Sequence, residues 1–151
     1  LYDGEPRNNF LERALTWNEN GVLDGVRHVT IAGYWFYFAT PRGIVVVNMN
    51  DPLAPQYVTT IDVEDPRGSQ VQFRYLFVTT AQGLEVIDVT HPDRPAVVPG
   101  ASIAMADARK LHVARTYAYV AAGSEGLVIV DVTRPTAPKL FQRYDGGGKI
   151  G

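Results

Sequence analysis

Gly126-Leu127-Val128-Ile129-Val130-Asp131 decides how this chain is read, because the same pattern occurs three times. Gly43-Ile44-Val45-Val46-Val47-Asn48 and Gly83-Leu84-Glu85-Val86-Ile87-Asp88 are the earlier copies, with the glycines 40 and 43 residues apart. Each copy runs into a turn with two prolines at one spacing: Asp51-Pro52-Leu53-Ala54-Pro55, His91-Pro92-Asp93-Arg94-Pro95 and Arg134-Pro135-Thr136-Ala137-Pro138. Upstream of each glycine lies an aromatic run, Trp35-Phe36-Tyr37-Phe38, Tyr75-Leu76-Phe77-Val78 and Tyr117-Ala118-Tyr119-Val120. Aligned on these, Ile31, Val71 and Val113 fall together at the end of a preceding strand. Self-similarity at about 40 residues marks a repeat architecture, in which each unit buries its apolar faces against its neighbours.

The periodicity inside a unit is two, which is that of strands. Tyr37, Phe77 and Tyr119 point to one side of their strands, while Phe38, Val78 and Val120 point to the other. Both sides are apolar, so each sheet is expected to be covered on both faces. Tyr37, Phe77 and Tyr119 are therefore expected in the core between sheets. The glycines at 43, 83 and 126 close short turns of hairpin type. In the first unit the strands are expected at about 26–31, 35–40, 44–49 and 56–63, in meander order. A four-stranded antiparallel sheet per forty-odd residues, apolar on both faces, is the pattern of a β-propeller blade. The fold class is thus all-β, with three consecutive four-stranded antiparallel blades.

Leu127-Val128-Ile129-Val130-Asp131 is also the string after which the LVIVD-repeat family is named, and Asp131-Val132-Thr133-Arg134-Pro135 continues that family's pattern. The chain resembles this family over about residues 26–145. Copy two departs at Glu85 and copy one at Asn48. The resemblance implies a β-propeller-like fold and an extracellular, cell-surface or periplasmic location. It implies no particular activity, although such proteins can accompany multihaem electron-transfer proteins.

Residues 1–25 form an N-terminal extension with two readings. Asn9 and Glu12 have the spacing of a helix cap, with Leu11, Ala14 and Leu15 on one face. Alternatively, residues 8–17 are the outer strand of a preceding blade. Residues 26–145 hold the three blades, and 146–151 form a connection to a missing blade or a tail. Closed propellers need about four to eight blades. The chain is therefore expected to be a segment of a larger propeller; blades shared between chains or an open stack of three are the alternatives.

The composition narrows the chemistry. The chain has 151 residues, 46% hydrophobic and 20% charged, and no cysteine, which excludes disulfides, thiolate metal sites and covalent haem attachment within it. A net charge of -2 is too balanced for a dedicated nucleic-acid binder. Its apolar runs are too short to span a membrane as a helix. His28, His91 and His112 occupy unrelated repeat positions, so no metal site is expected. Asn48, Asp88 and Asp131 stand where an Asx side chain bonds the backbone two residues on, a turn role and not a catalytic one. No catalytic residues and no cofactor are assigned.

One polar position recurs. Arg27, Arg67 and Arg109 each stand four residues before Ile31, Val71 and Val113, at the start of the innermost strand and near the mouth of a propeller channel. His28 and Lys110 are adjacent to two of them. Either each guanidinium bonds carbonyls or a carboxylate of the next blade, with Asp65 and Asp107 as candidates, or the set faces an acidic ligand or partner. The functional expectation is a non-catalytic propeller module for protein–protein interaction or assembly in a secreted or surface complex. Its partners would be other chains or the missing part of its own. The alternatives are a ligand-binding or enzymatic site at the channel mouth, and a propeller domain accompanying a multihaem cytochrome.

Overall fold

The computed structural model describes residues 16–144. The expectations placed on residues 1–15 and 146–151 lie outside the described residues. The chain enters through a short 3-10 turn, Glu19–Gly21, and then builds three antiparallel sheets in strict sequence. Blade 1 is β1 (His28–Ala32), β2 (Trp35–Thr40), β3 (Gly43–Asn48) and β4 (Gln56–Ile61). Blade 2 is β5 (Pro66–Gln72), β6 (Tyr75–Thr80), β7 (Gly83–Asp88), β8 (Ala96–Val97) and β9 (Ile103–Ala104). Blade 3 is β10 (Lys110–Ala114), β11 (Tyr117–Ala121), β12 (Leu127–Asp131) and β13 (Lys139–Tyr144).

Strand bounds fall within two residues of those expected in blade 1, but the outer edge of blade 2 differs. There the fourth strand is broken in two, β8 and β9 both pairing with β7. Pro99 lacks the N–H a continuous ladder requires, and Gly100 turns the chain with φ +72.

The hairpins between the second and third strands of blades 1 and 2 explain their glycines. Gly43 and Gly83 have φ of +134 and +148, and a Cβ at either would lie 2.3 or 2.0 Å from the carbonyl oxygen of Ile61 or Ile103. Outer strand and hairpin thus approach too closely for any side chain. In the same turns Thr40 and Thr80 donate hydroxyl hydrogen bonds to the carbonyls of Gly43 (2.9 Å) and Gly83 (3.3 Å). Blade 3 has alanine at this position and replaces the tight turn with a 3-10 turn, Gly123–Glu125.

The blades pack face to face. Tyr37, Ile44 and Val46 of blade 1 form one buried cluster with Leu76, Val78 and Ile87 of blade 2. Phe77, Leu84 and Val86, on the opposite face of blade 2, form a second cluster with Ala118, Val120, Val128 and Val130 of blade 3. Aromatic side chains on one sheet thereby meet aliphatic residues on the next. Blade 2 is covered on both faces, and every residue of β6 is buried.

One expectation is corrected here. Tyr37 and Phe77 are 1% exposed, but Tyr119 is 37% exposed. Its side chain lies on the face of blade 3 turned away from blade 2, where no other described sheet covers it. The repeat makes the three positions equivalent within a blade; only a following blade makes them core.

Candidate functional site: an arginine–aspartate ladder along the innermost strands

β5 is flanked by β1 and β10, so these three first strands form the innermost row. Just ahead of each lies the recurring arginine. Arg27 pairs with Asp65 and donates to the carbonyl of Pro66 at 3.2 Å. Arg67 pairs with Asp107 of the next blade and reaches back to its own blade's Asp65 at 3.3 Å. Arg109 closes on its own blade's Asp107, with Nε at 2.8 Å and Nη2 at 2.6 Å from one carboxylate oxygen. The result is an alternating row, Arg27–Asp65–Arg67–Asp107–Arg109, in which each of the first two guanidiniums clamps its blade to the next.

Backbone geometry sets this up. Asp65 and Asp107 each stand two residues before an arginine, with φ of +55 and +57. Aspartate tolerates this left-handed conformation better than most residues, and it swings the carboxylate toward the preceding blade. Gly25 holds the same place ahead of Arg27, with φ +75 but no carboxylate. The arginines hold both acids ionised. The hydrogen bond from Arg27 is the main cause for Asp65 and that from Arg109 for Asp107, with Arg67 adding to each, so both carboxyls titrate below the usual carboxylate range.

Polar side chains on the innermost strands add a second set of bonds between blades. Thr30 donates to the carbonyl of Ser69 at 2.8 Å, and His28 Nε2 lies 3.0 Å from the same oxygen. One blade further on, Gln70 grips Val113 with both ends of its amide, accepting from the N–H at 2.7 Å and donating to the carbonyl at 3.0 Å. Gln72 donates to the carbonyl of Arg115 at 2.9 Å. Of these, Thr30, Ser69, Gln70 and Gln72 had no role assigned from the sequence, and His28 was expected to face an acidic partner. Their signal is a polar side chain three residues after each recurring arginine, at Thr30, Gln70 and His112.

Arg27, Arg67, Arg109 and Lys110 line one open cleft of about 510 Å³ together with Asp65 and Asp107. Of the five side chains expected to face an acidic partner, three are directed to the fold. Arg27 and Arg67 pair across the blade boundaries, and His28 points to the Ser69 carbonyl. Arg109, whose side chain is 64% exposed, and Lys110, also exposed, remain open to solvent. A comparable cleft beside Glu19, Val22, Pro55 and Tyr57 contains none of the recurring arginines.

The Asx positions act in turns. Asn48, Asp88 and Asp131 accept from the backbone N–H groups of Asn50, Thr90 and Thr133 at 2.8, 2.9 and 2.9 Å. Hydrogen bonds from Thr90 and Thr133 lower the titration of Asp88 and Asp131. None of the three contributes to the arginine cleft.

Comparison with known proteins agrees with this architecture. The family model of the LVIVD repeat matches residues 106–146, the stretch that holds blade 3. No curated protein matches the chain. Among solved structures, the N-terminal domain of Nup159 superposes with a TM-score of 0.56 at 11% identity, over 84% of this chain and 43% of that one. Nup159 in an S. cerevisiae complex with Dbp5 gives 0.56 at 12% identity, covering 84% and 42%. Kluyveromyces lactis Hsv2 gives 0.54 at 14% identity, covering 82% and 37%. Nup159 and Hsv2 are β-propeller domains, so this chain has the propeller fold and spans less than half the length of each. No helix among the described residues is long and apolar enough to cross a membrane.

Proposed function

We propose that this chain is a non-catalytic β-propeller module that binds other protein chains, with Arg109 and Lys110 presenting positive charge to an acidic surface. The observation that carries this reading is the charge of the cleft. Its lining has four cationic side chains, Arg27, Arg67, Arg109 and Lys110, against two carboxylates, Asp65 and Asp107, a surplus of two in a chain whose net charge is -2. Local positive potential of this kind steers acidic partners and sets their on-rate. The non-catalytic reading is supported by the state of the two cleft acids. Each is held ionised by arginine, which leaves neither a proton to donate nor a raised basicity with which to accept one near neutral pH. Placement in a secreted or surface assembly rests on the LVIVD resemblance. In S. cerevisiae, Nup159 is a propeller seen bound to another protein, Dbp5, which supports the general role and not a shared partner.

The test is binding of a poly-glutamate peptide, followed by fluorescence anisotropy at rising salt. Affinity is expected to fall as salt rises and to drop about tenfold on Lys110→Glu, in keeping with the loss of steering and of one contact. Salt-independent binding, or binding indifferent to Lys110→Glu, would remove the cleft from the account.

A further inference from the structure

Both interfaces inside the molecule follow one rule. An aromatic position on the forward face of a blade, Tyr37 or Phe77, enters the next sheet beside aliphatic residues, Leu76 and Val78 in one case and Ala118 and Val120 in the other. At the innermost row, an arginine of the first blade meets an aspartate with positive φ on the second. The forward face of blade 3 carries the first half of this rule. Tyr119, Leu127 and Phe141 are exposed there, with the rings of Tyr117 and Phe141 5.2 Å apart, although the positions matching Tyr119 and Leu127 are at most 1% exposed in blades 1 and 2. Arg109 and the exposed His112 stand beside them, at the places from which Arg67 and Gln70 reach the following blade.

We infer that this face docks a further propeller blade whose innermost strand opens with Asp-x-Arg and whose second strand carries aliphatic, not aromatic, residues toward Tyr119. The aspartate of such a blade meets Arg109 as Asp107 meets Arg67, and its aliphatic residues leave room for the rings of Tyr117 and Tyr119. A second copy of this chain does not fit the description. Its first blade would offer Gly25 where a carboxylate is needed, and the rings of Phe36 and Phe38 where both interfaces have aliphatic residues. Bulky residues against Tyr117 and Tyr119 overpack the interval. The inference rests on the reading of the chain as a protein-binding module and names the acidic group that Arg109 would meet.

The chain has no cysteine, so Tyr119→Cys supplies one thiol whose labelling rate reports cover over this face. Two extended forms of this variant are compared. In the first, a wild-type second copy of residues 104–151 follows Tyr144, adding a blade with Asp107, Ala118 and Val120. In the second, a copy of residues 22–61 is inserted after Tyr144 and followed by residues 145–151, adding a blade with Gly25, Phe36 and Phe38. Labelling is expected to slow at least about tenfold in the first form and to change less than about twofold in the second. Gly25→Asp, Phe36→Ala and Phe38→Val, made in the inserted copy alone, should convert the second form to slow labelling. Equal slowing by both extensions, or fast labelling in both the first form and the converted second form, overturns the inference. So does protection in the unextended variant: dependence on concentration would identify a second copy as the occupant, and protection at every dilution would identify the chain's own ends. Poly-glutamate binding measured on the same proteins separates the two claims, because it survives if only the docking inference fails.

Discussion

β6 and β11 occupy the same place in successive blades and share a repeat position at every residue, yet β6 is buried throughout whereas β11 alternates between buried and half-exposed or exposed positions. The difference has little to do with the strands. β6 has a sheet on each side, while β11 has blade 2 on one side and, among the described residues, no sheet on the other. Within a propeller, the strand pattern makes a residue apolar, but its neighbour in the ring makes it core. Stability in this chain should therefore be concentrated in blade 2 and in the two interfaces it makes.

The largest break in that comparison comes from truncating matched aromatics. Phe77→Ala removes a ring from between two sheets and should cost about 3–5 kcal/mol. Tyr119→Ala, at a partly exposed site, should cost less than about 1 kcal/mol. Urea denaturation of both variants measures the gap, and equal losses would mean that the face of blade 3 is covered in solution.

Overpacking probes the same boundary from the other side. Ala118 is fully buried against the Phe77 cluster, so Ala118→Leu should destabilise by about 1–3 kcal/mol. Leu127→Phe, on the opposite face of the same sheet, should change stability by no more than about 0.5 kcal/mol. A tolerant Ala118 would show that blades 2 and 3 are less tightly joined than described.

The ladder gives smaller effects. Arg67 touches two carboxylates from two blades with a half-buried side chain, while Arg109 touches one with a mostly exposed side chain. A lysine cannot reproduce the planar fork. Arg67→Lys should thus lower stability by about 1 kcal/mol, and Arg109→Lys by no more than a few tenths, as expected of an exposed pair.

Acid should act in the same direction. Asp65 and Asp107 titrate lower in the folded chain than in the unfolded one, where aspartate titrates near about 3.9. The unfolded state then binds more protons, so stability from these groups is complete above about pH 5 and is lost as pH falls through 4 toward the lower folded values. Asp65→Asn combined with Asp107→Asn should flatten this part of the stability curve below pH 5. An unchanged slope would assign the acid sensitivity to other carboxylates.

Much of this was legible before any coordinates. The glycine-led repeat and its two-proline turns place the four strands of blade 1 within two residues, because hydrophobic period and turn chemistry are local properties. The pairing of Arg27 with Asp65 and of Arg67 with Asp107 was open as one of two readings. Its geometry depends on the rotation between blades, which no single repeat contains. Three features escaped for the same reason. Tyr119 is distinguished from Tyr37 and Phe77 by what lies beyond it. Gln70 acts through the backbone of another blade. The break between β8 and β9 follows from Pro99 and Gly100, whose effect on an edge strand appears only when that strand is aligned on β7.

Native-state amide hydrogen exchange tests the central claim most directly, because it reads the opening free energy of each strand in one unmodified sample. The account predicts the slowest exchange in β6 and β7, which lie between two sheets, and faster exchange in β11 and β12 despite the same ladder pairing. Uniform protection across the three blades, or slowest exchange in blade 3, would contradict it.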